Sequence, residues 1–254
     1  MNVFFVGAGP GDPELLTIKG ARLLAEAGLV LYAGSLVNRE ILTCANPAAR
    51  LVDSAGLDLE QQVTLMTAAV QEGIKVVRLH TGDPSLYGAI QEQIDELSAR
   101  GVKSTIVPGV SSYAAAVAAV GRELTLPGVS QTVIITRLAG RTAVPEKESL
   151  RALAAHGASM CIFLSVGLID RVARELLASY PTETPVAVVE KASWPEQRLV
   201  RGSLGELVPL VREAGITRQA IILVGEFLAS EDYEQSRLYA TEFEHGFRER
   251  TVKV

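Results

Sequence analysis

Cysteine, histidine and tryptophan are scarce in this chain, at 2, 3 and 1 of 254 residues. Cys44 and Cys161 form no close pair, and with three scattered histidines they make no metal-ligand spacing. No metal site is expected, and the cysteines read as reduced thiols in a cytoplasmic protein. No uninterrupted apolar run approaches a membrane span. No basic segment with a cleavage site precedes the first apolar run, so no export signal is expected. There is no G-K-[ST] phosphate loop and no nucleophile–base–acid set of recognised spacing. The net charge of −5 argues against a nucleic-acid surface. Arginine outnumbers lysine, a weak pointer to fixed bidentate contact with carboxylates.

What is present is a repeated grammar of strand, polar loop and helix. Val76 to Ile90, VVRLHTGDPSLYGAI, opens β-branched and breaks at Gly82-Asp83-Pro84. Asp83 suits a helix N-cap and Pro84 the first helical position, with Leu86, Ile90, Ile94 and Leu97 at helical spacing. Val3 to Val6 leads likewise into Gly7-Ala8-Gly9-Pro10-Gly11-Asp12-Pro13 and a helical pattern through Leu15, Leu16, Ala21, Leu23 and Leu24. Thr105 to Val107 leads into Pro108-Gly109-Val110-Ser111-Ser112 and an alanine-rich helix. In a parallel sheet such loops gather at the carboxyl edge, where open α/β sheets bind ligands.

The expected fold class is α/β, in two domains: 1–120 with a mostly parallel sheet, and 121–254 with a mixed sheet and a charged tail. The first half adds strands at Leu29–Tyr32, Arg50–Val52, Lys75–Leu79 and Lys103–Val107, and a helix from Asp58 to Glu72. Gly121 to Gln131 reads as the linker. Beyond it, Thr132–Thr136 and Met160–Leu164 read as strands. Pro185–Glu190 and Arg198–Gly202 read as an antiparallel pair around Lys191 to Gln197, and Ala220–Val224 as a last buried strand. The tail from Ser230 reads as a loose helix or a partner-docking arm.

Each chemical candidate carries a bland alternative. Gly7 to Asp12 is G-x-G-x-G, a weak match to the dinucleotide fingerprint, and no carboxylate ends the second strand, so a nicotinamide site is not expected. Asp83 either caps its helix or meets a ligand. Arg137 and Arg141, in TRLAGRT, are solvated surface charges or a clamp for an acidic ligand. Trp194 reads as a core or hairpin anchor, and His80 as structural. The absence of acid–base machinery fits transfer of an activated group to an already nucleophilic atom, where alignment carries the catalysis.

VGAGPGDPELLTIKG, HTGDPSLYG, PGVSS and AIILVG, in that order, resemble the signatures of the tetrapyrrole methylases, S-adenosylmethionine-dependent enzymes that build sirohaem and cobalamin. LYAGSLV, RLHTGDPSLYGAIQEQ, TRLAGRTAVPE and ASWPEQ resemble the branch that methylates carbon 11 of precorrin-4 or its cobalt-bearing analogue. The resemblance implies two α/β domains, usually in a homodimer, an S-adenosylmethionine cofactor and a small-molecule tetrapyrrole substrate, with no nucleic-acid or membrane partner. Carried over by motif, the cofactor would meet Pro10, Thr81, Gly82, Asp83, Leu86, Ser111, Ser112, Ser165, Ala192 and Ala220. Arg137 and Arg141 are the substrate-binding candidates, and no catalytic acid or base is assigned. One departure is that uroporphyrinogen methylases carry an aspartate after the tyrosine of the second strand, where Tyr32 here precedes Ala33-Gly34. Another precorrin methylase, a methylase of protein or ribosomal RNA, and a non-catalytic nucleotide-binding module are the alternatives.

Overall fold

The computed structural model describes residues 2–236, 243–244 and 246. They form two compact units. The first comprises Met1–Ala119 with two returning segments, Val189–Leu199 and Gln219–Ile221; the second comprises Val120–Val188, Val200–Arg218 and Ile222–Val254.

The first sheet has five strands: β1 (Asn2–Gly7), β2 (Leu29–Tyr32), β3 (Arg50–Asp53), β4 (Val76–His80) and β5 (Lys103–Val107). Their order is β3-β2-β4-β1-β5, and all four pairings are parallel. Residues alternate across the two faces, as the period of a strand requires. Val6, Val30, Val77 and Leu79 pack with Leu23 and Leu24 of α1 (Ile18–Glu26). Val3, Phe5, Leu29, Leu31 and Val76 pack with Val63 and Met66 of α2 (Leu59–Gln71) and with Ile90 and Leu97 of α3 (Ile90–Ala99). A capping box closes the start of α2: Asp58 accepts from Gln61 N at 2.8 Å, and Gln61 accepts from Asp58 N at 3.1 Å. After β5 comes α4 (Ser112–Val120).

The second sheet has the order β6-β7-β10-β8-β9. Its strands are β6 (Val133–Arg137), β7 (Ser159–Phe163), β8 (Pro185–Glu190), β9 (Arg198–Ser203) and β10 (Ala220–Val224). β6 runs parallel to β7, and β10 antiparallel to it, so the sheet is mixed. Its helices are α5 (Leu150–Ala154), α6 (Ile169–Leu176) and α7 (Leu207–Glu213). The 121–131 stretch contains neither helix nor strand. Most of the tail beyond Ser236 lies outside the described residues, and with it the expectation of a helix or docking arm.

Two helix starts differ from expectation. Leu15 ends a short 3-10 turn, Pro13–Leu15, capped by Asp12; α1 begins only at Ile18, with Thr17 accepting from Gly20 N at 3.0 Å. Asp83 and Pro84 do not open α3. Tyr87 and Ala89 adopt φ of 57° and 47°, which no α-helix accommodates, so α3 begins at Ile90 with Leu86 in the turn before it. The helical spacing of Leu86 with Ile90 is coincidental.

Candidate functional site

β4, β1 and β5 are adjacent and parallel, with Gly7 level with His80 and Val6 with Val107. The loops that follow them therefore leave from one edge. The first two are joined by Gly82 N donating to Gly9 O at 2.7 Å and Gly9 N donating to Gly82 O at 3.3 Å. Three glycines meet where the loops cross. A Cβ on Gly7 would lie 2.6 Å from Gly109 N and from Gly82 O, and one on Gly109 only 2.3 Å from Gly82 O. Gly82 differs. Its φ of +60° favours glycine, yet its Cβ direction meets nothing nearer than Ser112 N at 3.6 Å. That direction therefore runs along the Ser111-Ser112 backbone at ordinary contact distance.

Asp83 locks this crossing. One carboxylate oxygen accepts from Ser85 N at 2.8 Å and from the Ser85 hydroxyl; the other accepts from Gly109 N at 2.9 Å. Partial burial alone would raise its pKa, but these bonds outweigh it and hold the carboxyl below its usual range. The alternative in which Asp83 caps a helix is replaced by a tie between two loops.

The returning segments complete the edge. The Trp194 indole Nε1 donates to Pro10 O at 2.8 Å, and Ser193 Oγ accepts from Asp12 N at 3.0 Å. The buried Asn38 amide donates to Gly11 O at 2.9 Å. Lys191 N donates to Gln219 O at 2.8 Å, which brings Ala192 and Ala220, the neighbours of these two residues, into the same unit. Trp194 is an anchor, as expected, but it anchors the glycine loop, which its position in the sequence did not reveal.

His80 is 5% exposed and stacks on Phe5 with ring centroids 6.0 Å apart. Burial, then the nearby Arg78, push its pKa down to about 3, so it is neutral at physiological pH and a poor base. Arg78 is equally buried. Its Nε donates to Gln93 Oε1 at 3.2 Å and its NH1 to Leu31 O at 3.3 Å, and burial lowers its pKa to about 10. The Gln93 amide in turn donates to Ala89 O at 3.2 Å, steadying the left-handed entry to α3. Sequence spacing gave no sign of this network.

Pro10, Thr81, Gly82, Asp83, Leu86, Ser111, Ser112, Ala192 and Ala220 thus share the first unit, while Ser165, Arg137 and Arg141 lie in the second. Ser165 is fully buried; its hydroxyl accepts from Leu138 N at 2.8 Å and donates to Phe163 O at 2.6 Å. Beside it, Leu164 is 71% exposed at φ 53°. The Arg137 guanidinium folds back on its own loop, donating to the carbonyls of Leu138, Thr142 and Ala143 at 3.4, 3.2 and 2.8 Å. Arg141 is exposed. Among the described residues no group of three or more His, Cys, Asp or Glu could hold a metal ion, and no helix is long and apolar enough to cross a membrane.

The first unit's edge therefore offers close backbone, small residues and carboxylates already bonded to N–H groups. That suits binding and alignment of a compact ligand more than acid–base chemistry. Residues 2–208 match the family of Tetrapyrrole (Corrin/Porphyrin) Methylases. The chain is 54% identical over 253 residues to the cobalt-precorrin-4 C(11)-methyltransferase of Methanocaldococcus jannaschii, covering 99% of this chain and 98% of that protein. It is 50% identical over 248 residues to the precorrin-4 C(11)-methyltransferase of Pseudomonas aeruginosa, covering 98% and 99%. Among solved structures, a cobalt precorrin-4 methyltransferase superposes with a TM-score of 0.88 at 46% identity, covering 90% of this chain and 96% of that one. The uroporphyrin-III C-methyl transferase of Thermus thermophilus, complexed with S-adenosyl homocysteine, gives 0.76 at 32% identity, covering 90% and 99%. A parallel sheet with glycine-tight loops at one edge, a mixed second sheet, and similarity along almost the whole length place this chain in one family: it belongs to the tetrapyrrole (corrin/porphyrin) methylases.

Proposed function

We propose that this chain transfers a methyl group from S-adenosylmethionine to carbon 11 of precorrin-4, or of its cobalt-bearing analogue, giving precorrin-5 in cobalamin biosynthesis. The observation that carries the reading is the 54% and 50% identity, over almost the full length, to two proteins named for methylation at that carbon. S-Adenosylmethionine would supply an activated methyl: the carbon–carbon bond forms as the sulfur–methyl bond breaks, with its electron pair left on a neutral thioether.

The residues present fit such a ligand. The φ of +60° at Gly82 favours glycine, and its Cβ direction runs against the Val110–Ser112 backbone at ordinary contact distance, so a side chain larger than alanine would crowd a ligand lying along these loops. Pro10, Thr81, Gly82, Leu86, Ser111, Ser112, Ala192 and Ala220 would contact it. Asp83 would shape the loop, since its carboxylate already accepts from Ser85 and Gly109. A carboxylate paired tightly to the sulfonium would favour the ground state over a transition state in which that charge is lost. Ser165 would act through its backbone, because its hydroxyl is buried and bonded on both sides. Arg141 would meet an acidic rim of the substrate, and Arg137 would hold the loop that carries it. The family resemblance adds a cytoplasmic homodimer without bound metal, for which light scattering and elemental analysis are the checks.

Incubation with methyl-labelled S-adenosylmethionine and enzymatically prepared precorrin-4, metal-free and cobalt-bearing in parallel, should label carbon 11 of at least one substrate. Labelling at another ring carbon would move the chain to a sister branch. Failure to bind S-adenosylhomocysteine would end the methyltransferase reading.

A further inference from the structure

The segment from Lys191 to Gln197 reaches the glycine loop from far along the chain, with two independent hydrogen bonds and one steric lock. Trp194 Nε1 holds the Pro10 carbonyl, and Ser193 Oγ holds the Asp12 amide. Between them, the indole lies flush on Gly11: a Cβ there would fall 2.0 Å from the ring. The segment is itself braced. Ser193 N donates to Gln197 Oε1 at 2.8 Å, Trp194 N donates to Lys191 O at 2.9 Å, and the Lys191 ammonium sits 5.3 Å from the centre of the indole ring. Lys191 and Ser193 adopt φ of 48° and 69°, a conformation non-glycine residues rarely take. In folded proteins such conformations persist where surrounding contacts over-determine them, and they concentrate at ligand sites. The bonds within 191–197 brace the strap, and its two hydrogen bonds and the indole face meet Pro10, Gly11 and Asp12.

We propose that Ser193 and Trp194 are positioning residues for cofactor binding. They set the course of the Pro10–Asp12 backbone without touching the ligand, so that the S-adenosylmethionine site is assembled only when the 191–197 strap is seated. This rests on the reading above that Pro10 and Ala192 border the cofactor. Because Trp194 is the chain's only tryptophan, its emission reports directly on the strap. Occupation of the site next to Pro10 alters the field at an indole hydrogen-bonded to that residue's carbonyl.

The test titrates S-adenosylhomocysteine into the full-length protein, followed by calorimetry and by tryptophan emission. In the unsubstituted protein the two signals should saturate together. Trp194→Phe keeps an aromatic ring but removes the donor, and Ser193→Ala removes the acceptor. Each should weaken binding about tenfold, the scale of one lost hydrogen bond together with a loosened loop. Each should raise the Michaelis constant for S-adenosylmethionine, with kcat at saturating cofactor and the tetrapyrrole constant changed less than twofold. A double-mutant cycle isolates the steric lock. Gly11→Ala should weaken binding by at least several-fold more with Trp194 present than in the Trp194→Ala background, where the methyl has room; any backbone cost at Gly11 enters both backgrounds and cancels.

If the unsubstituted protein does not bind S-adenosylhomocysteine, the cofactor reading has failed. If it binds but emission stays flat, or both single substitutions leave affinity within twofold, or the cycle is additive, the strap assignment alone is overturned. Should Trp194→Phe fail to fold, Ser193→Ala and the emission titration decide.

Discussion

After β1, β4 and β5 the backbone closes on itself at Gly7, Gly82 and Gly109, whereas after β6 a side chain, Arg137, holds its loop from within. The first arrangement is built from atoms every residue has, and it works because Gly7 and Gly109 lack a Cβ and Gly82 takes a positive φ. The second depends on one long guanidinium reaching three carbonyls. A backbone-built edge has little slack, since a methyl group added at the crossing has nowhere to go. A loop held by a side chain leaves its other members, Arg141 among them, free to differ in chemistry. Physically, the first suits a ligand of fixed shape and the second a variable one, which is the division the proposed cofactor and substrate sites would need.

Gly109→Ala attacks that comparison hardest. Its Cβ would stand 2.3 Å from Gly82 O, so the β4 and β5 loops must part. Overpacking of this kind costs about 1–3 kcal/mol. Binding of S-adenosylhomocysteine should fall below calorimetric detection, and the melting temperature should drop by roughly 2–12 °C. Normal binding with an unchanged melting temperature would show that the loops yield, and the contrast with the second unit would disappear.

Asp83→Asn sharpens it. The amide still offers an oxygen to Ser85 but turns N–H groups towards Gly109 N, which loses its acceptor. Charge-assisted bonds contribute about 1.5–3 kcal/mol, so cofactor affinity should fall by tens of fold. The pH dependence has a definite sign. Because the folded pKa lies below the unfolded value, near 3.8, the stabilisation from Asp83 is complete above that value and is lost as pH falls through the folded pKa. The gap in melting temperature between the parent and Asp83→Asn should hold steady above about pH 4 and shrink below it. A gap that widens on acidification would contradict the carboxylate tie.

Arg141→Ala has the smallest expected effect, because it leaves both loop systems intact. The Michaelis constant for the tetrapyrrole should rise about tenfold with S-adenosylhomocysteine affinity within error, and Arg141→Lys should recover only part, since an ammonium cannot make a bidentate contact. Unchanged kinetics in the alanine variant would remove Arg141 from the substrate site.

Much of the first sheet was legible because its signals are local. Short apolar, β-branched runs mark β1, β2 and β4 within four- to six-residue windows, and Gly, Pro and Asp punctuate the strand ends. The start of α3 was misread because Leu86 and Ile90 keep helical spacing through a segment whose backbone is left-handed at Tyr87 and Ala89. Spacing reports which side chains share a face, not which φ a residue adopts. The buried Arg78 escaped notice for a related reason: a lone arginine in a strand carries no sign of the Gln93 and Leu31 acceptors that make its burial tolerable.

By itself the sequence determined the class of fold, the three glycine loops and, through ordered motifs, the family. Those are properties of short windows and of their order, and neither depends on what a distant residue does. Tertiary structure alone decided that Asp83 ties two loops, that the Ser165 hydroxyl is buried between Leu138 and Phe163, and that Ser193 and Trp194 hold residues 181 and 184 positions away. A hydrogen-bonding side chain has many partners of equal chemistry along a chain, and only the folded path of the backbone selects which one comes within 3 Å.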